Sequence, residues 1–170
     1  MSPVIAYIGL GSNLGDPLAQ VRSGLQALAG LPHSRLLRSA GLYRSAPLGP
    51  SGQPDYINSV AALETELPPL ELLCELQRIE DAHGRVRAER WGPRTLDLDL
   101  LLYGELQLDT PELVIPHPEI ARRSFVLRPL GELLAEDAQI PGQGALKTLL
   151  ARCPGPFAVR ASESGMVGLA

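Results

Sequence analysis

Lysine is almost missing from this sequence: Lys147 is the single lysine among fifteen Lys and Arg residues. Aromatics are scarce too, at 4% of the chain. The core must therefore be built from Leu, Val, Ile and Ala, and each aromatic side chain invites a question about its use. Cysteine is limited to Cys74 and Cys153, with no Cys-x-x-Cys and no His/Cys cluster. That argues against a disulfide framework or thiolate metal site and reads as two reduced thiols. An excess of positive charge is lacking, with a formal net charge of −4 and a pI near 5.4. A general nucleic-acid binder would be basic. No apolar run is long enough to span a membrane, and Met1–Leu10 lacks a basic leader. The expectation is a cytoplasmic, monomeric protein without nucleic-acid or membrane partners. The 45% apolar content over 170 residues suffices for one domain with a real core. That domain is expected to cover residues 1–153. The segment 154–170, with Pro154, Gly155, Pro156, Ser162, Ser164 and Gly165, is expected to be a loosely ordered tail.

The positive charge that is present is concentrated. Arg85, Arg87, Arg90 and Arg94 crowd around the lone tryptophan, Trp91, and Gly92-Pro93 ends this irregular stretch. A strand pattern follows. Leu96, Leu98, Leu100 and Leu102 alternate with Asp97, Asp99 and Leu101, so the leucines and the aspartates should take opposite faces. Two aspartates at that spacing have Cα atoms about 6.5 to 7 Å apart and, at an effective dielectric near 20, would repel by about 2.4 kcal/mol. A cation between the carboxylates turns that repulsion into attraction, and adjacent arginines suit a polyanion. The competing reading is the wet face of an edge strand beside solvated arginines. The hard-metal reading points to phosphate chemistry.

The rest of the chain places this stretch. Val4–Leu10 is apolar on both faces, as in a strand covered on both sides. Asp16-Pro17 should open a helix carrying Leu18, Val21, Leu25 and Leu28, stopped by Gly30 and Pro32. Gly9-x-Gly11 lacks the third glycine of a dinucleotide fingerprint, because Leu14 stands there, so the glycines more simply allow a close approach at the strand end. Residues 35–45 read as a strand interrupted at Gly41, and residues 46–55 as a long loop. Tyr56–Thr65 is the next strand, with Asn58, Val60, Ala62 and Glu64 on one face. A helix runs from Pro68-Pro69 to His83, with Leu73, Leu76 and Ile79 or Glu80 as its core stripe and Gln77 and Glu80 one turn apart. A hairpin over 104–114, a constrained turn at Ile115-Pro-His117-Pro118, a stretch over Val126–Leu134 expected to turn helical after Pro129, and a last short helix over 144–152 complete the order. This is an α+β, ferredoxin-like βαββαβ pattern with a mainly antiparallel sheet, an added hairpin and C-terminal helices. In it, Asp97 and Asp99 are expected on a central strand, with the first and last core strands side by side in the middle.

The motifs, taken in order, resemble the 6-hydroxymethyl-7,8-dihydropterin pyrophosphokinase family of folate biosynthesis. They are Tyr7-Ile-Gly-Leu-Gly-Ser-Asn13, Tyr43-Arg-Ser-Ala-Pro-Leu-Gly-Pro50, Gln53-Pro-Asp-Tyr56-Ile-Asn58, Gln77-Arg-Ile-Glu80, Arg90-Trp-Gly-Pro-Arg94-Thr-Leu-Asp97-Leu-Asp99, Pro116-His117 and Arg123-Ser-Phe125. The resemblance implies a three-layer α-β-α sandwich and transfer of a diphosphate from ATP to the pterin hydroxymethyl group, leaving AMP. It implies that Asp97 and Asp99 hold two Mg²⁺ ions and that Arg85 and Arg94 clamp the phosphates. Gln77, Glu80, Arg87, His117 and Arg123 would line the nucleotide. Ser45, Leu48, Tyr56, Asn58, Trp91 and Phe125 would form the pterin pocket. The chain departs from the family pattern at Glu112, Val114 and Pro118. Two other readings of the same residues are a nucleotidyl transferase or nuclease with paired aspartates, and a non-enzymatic small-molecule-binding domain.

Overall fold

The computed structural model describes residues 2–45, 55–84, 95–154 and 158–161. Strand β1 (Val4–Ser12) is buried on both faces through its second half, as its unbroken apolar run requires. Helix α1 (Pro17–Ala29) begins where Asp16 accepts a hydrogen bond from the Ala19 N–H at 3.2 Å, with Pro17 at the first position. Its Gly24 lies so close to the sheet that an added Cβ would sit 3.1 to 3.2 Å from Leu10 and Leu96. Strands β2 (Ser34–Ser39) and β3 (Tyr43–Ser45) both pair antiparallel with β4 (Tyr56–Thr65), so the strand expected over 35–45 is indeed broken around Gly41. Helix α2 (Pro69–Ala82) buries Leu72, Leu76 and Glu80, with Leu73 and Ile79 on the flanks of that stripe. Strand β5 (Asp97–Tyr103) follows.

Beyond β5 come a hairpin of β6 (Leu108–Asp109) and β7 (Val114–Ile115), a cis Ile115–Pro116 peptide and a 3-10 turn over Ile120–Arg122. Helix α3 (Ser124–Leu133) starts before Pro129 rather than after it. The proline is buried among the core residues of the helix, at the cost of one intrahelical hydrogen bond. A hairpin of β8 (Gln139–Ile140) and β9 (Gly144–Ala145) leads into α4 (Leu146–Arg152). Strand β10 (Val159–Arg160) then pairs with β3, so this part of the segment expected as a loose tail adds to the sheet.

The main sheet runs β10-β3-β4-β1-β5, with β2 also on β4, and every pairing is antiparallel. Its two faces carry separate cores. One joins Ala6, Ile8 and Leu10 of β1 to Val21, Leu25 and Leu28 of α1 and to Leu72 and Leu76 of α2. The other joins Val60, Ala62, Leu101 and Leu102 to Val126, Leu127 and Leu130 of α3 and to Leu146 and Leu149 of α4. The result is the three-layer α-β-α sandwich of a ferredoxin-like fold.

Two expectations about β5 need correction. First, β5 lies at the end of the sheet, with β1 as its single strand neighbour among the described residues. The crossover through α2 sets it on the free side of β1, so β1 is central and β5 is not. Its outer edge is nevertheless covered: the Leu98 N–H donates to the Glu80 carboxylate at 2.8 Å, and the His117 N–H donates to the Leu101 carbonyl at 3.0 Å. Second, the alternation of faces fails at Leu102. Tyr7 pairs with Leu102 and Ile8 with Leu100, which leaves Leu101 as an extra, bulged residue. Leu101 and Leu102 therefore both enter the α3-side core, and Tyr103 returns to the α1 side.

Candidate active site

The bulge lies beyond the aspartates, so their alternation holds. Leu98 and Leu100 point into the α1/α2 core, which turns Asp97 and Asp99 to the α3 face, where both are half-buried. Gly11 of β1 pairs with Asp97 on one side and with Asn58 on the other, and Asn58 pairs in turn with Tyr43. Gly9 likewise stands between Asp99 and Val60. Because Val60 faces α3, Asn58, two residues earlier on β4, does too. Asp97 and Asn58 thus lie two strand spacings apart, about 9 to 10 Å of backbone separation, across a strand that presents only glycine between them.

The glycines are the local reason this floor is open. A Cβ on Gly11 would lie 2.8 Å from the Asn58 Nδ2 and 3.7 Å from the Tyr56 ring, and one on Gly9 would touch Leu101 at 3.4 Å. The close approach anticipated from Gly9-x-Gly11 is therefore made first by the Asn58 amide. Ser45 Oγ donates to Asn58 Oδ1 at 2.6 Å, with both residues buried. That bond sets which end of the amide faces Gly11, so Nδ2 is presented as a donor over the floor.

The opposite wall begins at α3. Phe125 is partly buried against the α3-side core, and the Arg123 guanidinium lies 5.5 Å from the centroid of its ring. His117 shares this electrostatic neighbourhood. Burial lowers its pKa below the ordinary 6.5; the Asp99 carboxylate opposes that, Arg123 adds to it, and Glu119 opposes it. Its Nδ1 accepts from the Glu119 N–H at 3.1 Å, so the neutral ring carries its proton on Nε2 and offers a donor there.

Glu80 is 4% exposed and spends its carboxylate on the Leu98 backbone, between the two aspartates. Gln77, one turn earlier, is exposed on α2. Of the sequence-derived site residues, the structure thus brings Ser45, Tyr56 and Asn58 together on the sheet and sets Asp97 and Asp99 on the same face. His117 lies within electrostatic reach of both Asp99 and Arg123. Arg85, Arg87, Trp91, Arg94 and Leu48 lie outside the described residues. Sequence reasoning missed the network in which Glu132 accepts from the Tyr43 hydroxyl and from the Gly41 N–H and pairs with Arg160 at 3.4 Å. Tyr43 was visible only as part of a motif, and nothing in the spacing linked it to residues about ninety and more than one hundred positions later.

Among the described residues, no group of three or more His, Cys, Asp or Glu side chains converges on a metal position. A lone pair of carboxylates nonetheless suits Mg²⁺, which favours one or two carboxylates completed by water and substrate phosphates. No helix among the described residues is long and apolar enough to cross a membrane.

Residues 7–135 match the family model for 7,8-dihydro-6-hydroxymethylpterin-pyrophosphokinase. The 2-amino-4-hydroxy-6-hydroxymethyldihydropteridine pyrophosphokinase of Pseudomonas aeruginosa is 53% identical over 148 residues, covering 87% of this chain and 91% of that protein. The Haemophilus influenzae protein of the same name is 49% identical over 147 residues, covering 86% and 91%. Among solved structures, wild-type Plasmodium falciparum HPPK-DHPS with pteroate is similar in fold, with a TM-score of 0.70 at 12% identity. That match covers 88% of this chain but only 42% of the longer protein. Two relatives about half identical over nearly their full lengths, and a family model spanning both the aspartates and Asn58, lead to one conclusion: the chain belongs to the 7,8-dihydro-6-hydroxymethylpterin-pyrophosphokinase family.

Proposed function

We propose that the chain transfers the β,γ-diphosphate of ATP to the hydroxymethyl oxygen of 6-hydroxymethyl-7,8-dihydropterin, giving the pterin diphosphate and AMP for folate biosynthesis. The observation that carries this reading is the row Asp97–Gly11–Asn58, a carboxylate and an amide donor facing one side of a floor cleared by glycine. The amide, oriented by Ser45, reads the polar edge of a flat heteroaromatic ring, and Tyr56 and Phe125 supply apolar surface for its faces. Asp97 and Asp99 would hold Mg²⁺, with two ions expected, and the metal would supply positive charge to offset the charge that develops on the ATP phosphates. The hydroxymethyl oxygen attacks the β-phosphorus in line, and the bond from that phosphorus to the oxygen shared with the α-phosphate breaks. Asp97, on the row that contains Asn58, is the candidate acceptor for the hydroxyl proton. His117, neutral and protonated on Nε2, donates to the nucleotide, and Arg123 adds positive charge beside it. Glu80 holds the strand that carries both aspartates, Gln77 remains available from the exposed face of α2, and Arg85, Arg87 and Arg94 complete the phosphate side.

The test is product identification. The protein is incubated with ATP, Mg²⁺ and the hydroxymethyl dihydropterin, and the nucleotide product is separated and named. AMP that forms only when the pterin is present supports the reading; ADP, or no turnover, refutes it.

A further inference from the structure

We propose that the C-terminal strand β10 is a strap that holds the two walls of the acceptor pocket in register, with Arg160 as its latch. Residues 158–161 lie beyond the span matched by the family model, yet they touch both walls. On one side β10 pairs with β3, Val159 opposite Arg44 and Arg160 opposite Tyr43, and the Ala161 N–H donates to the Leu42 carbonyl at 2.8 Å. Strand β3 is only three residues long and ends at Ser45, whose hydroxyl orients Asn58. So short a strand has little pairing of its own to hold it, and a neighbour on its outer side restrains where Ser45 sits.

On the other side the strap grips α3 at both ends. The Ala158 N–H donates to Ser124 Oγ at 2.7 Å, next to Phe125. Arg160 pairs at 3.4 Å with Glu132 in the last turn of the same helix. Glu132 is itself tied back to the sheet through the Gly41 N–H and the Tyr43 hydroxyl. The Arg160 guanidinium also lies over the Tyr43 ring, 5.8 Å from its centroid. A half-exposed ion pair alone would contribute little. Here the same guanidinium closes a ring of contacts from β10 to α3 to β3, so displacing it frees several restraints together.

Gly41 makes the seat for that guanidinium. A Cβ added at Gly41 would fall 2.1 to 2.3 Å from the Arg160 guanidinium atoms. Because those atoms end a flexible side chain, Gly41→Ala should eject the latch without disturbing the backbone, which gives a route to the same defect that leaves Arg160 itself intact.

This inference rests on the pterin reading of the pocket, so the experiment has two arms. Calorimetry measures binding of the hydroxymethyl dihydropterin and, separately, of a non-hydrolysable ATP analogue with Mg²⁺, for the parent, Arg160→Ala and Gly41→Ala. Nitrogen-15 NMR follows the Asn58 side-chain amide in the ligand-free proteins. Pterin binding should weaken about tenfold in both variants, with analogue binding within about twofold of the parent, a loss of about 1.4 kcal/mol confined to one substrate. The Asn58 amide resonances should shift in both. Unchanged pterin affinity, equal loss for both ligands, or an unmoved Asn58 amide would each overturn the strap. If the parent itself binds no pterin, the pocket reading falls, and the Asn58 amide alone still decides whether Arg160 acts on it.

Discussion

Replacing Glu80 with alanine strips the Leu98 amide of the carboxylate that caps it at 2.8 Å, at a position where Glu80 is 4% exposed. A hydrogen bond to a charged acceptor nets about 1.5 to 3 kcal/mol, and the lost methylene adds about 0.8 kcal/mol of burial. The expected destabilisation is therefore about 2 to 4 kcal/mol, a large share of the roughly 5 to 15 kcal/mol that holds a domain together. The effect should also be local. Leu98 sits between Asp97 and Asp99 on an edge strand, so its amide should exchange with solvent about ten to a hundred times faster once the cap is gone, as a local loss of about 1.4 to 2.8 kcal/mol implies. Glu80→Gln keeps an oxygen acceptor at the same reach and should cost only about 1 kcal/mol, with most of the Leu98 protection retained. Urea unfolding gives the global term, and amide exchange followed by NMR gives the local one. An alanine variant within about 0.5 kcal/mol of the parent, with Leu98 exchange unchanged, would refute the claim that Glu80 holds the aspartate strand in place.

Asp97→Asn and Asp99→Asn should each cost at least about 4 kcal/mol of barrier lowering, roughly a thousandfold in AMP formation, while pterin binding persists; near-normal rates in both would remove the metal role. Gly11→Ala places a Cβ 2.8 Å from the Asn58 Nδ2, so the fold should survive while KM for the pterin rises about tenfold, and an unchanged KM measured by steady-state kinetics would mean that Asn58 is not the reader. His117 has a folded pKa below its ordinary 6.5, so on acidification the unfolded chain takes up this proton first. Its contribution is fully present above about pH 7, is lost as pH falls through 6.5, and stops declining below the folded value. His117→Gln should flatten that part of the urea-midpoint profile between about pH 7.5 and 5.5, and an unaltered profile would assign the pH dependence elsewhere.

Much of the architecture could be read from local rules. Asp16-Pro17 marked the start of α1, and the alternation of leucine and aspartate predicted β5 and its two faces up to Leu100. Gly41 signalled a break, and the structure has β2 and β3 there. The glycine pair of β1 was legible as a place of close approach, although not what approaches it. What the local pattern misjudged depended on neighbours. Pro129 did not mark the start of α3, because burial of its ring in a packed helix outweighs one lost hydrogen bond. Leu102 changed face because pairing with β1 leaves Leu101 bulged, and a bulge is a property of two strands rather than one.

By itself the sequence determined the chemistry on offer: paired aspartates on one strand face, an arginine-rich stretch before them, and an amide, a histidine and a phenylalanine in separate motifs. Side-chain period and turn chemistry are local, so they survive in a linear reading. The tertiary structure decided the rest. It set Asp97 and Asn58 on either side of Gly11, moved the aspartate strand to the sheet edge and covered that edge with Glu80 and His117, and brought Arg160 back to Tyr43 and Glu132. Each of these depends on which strand pairs with which and on the side to which a crossover returns. Such contacts join residues far apart in the chain, so no spacing along it records them.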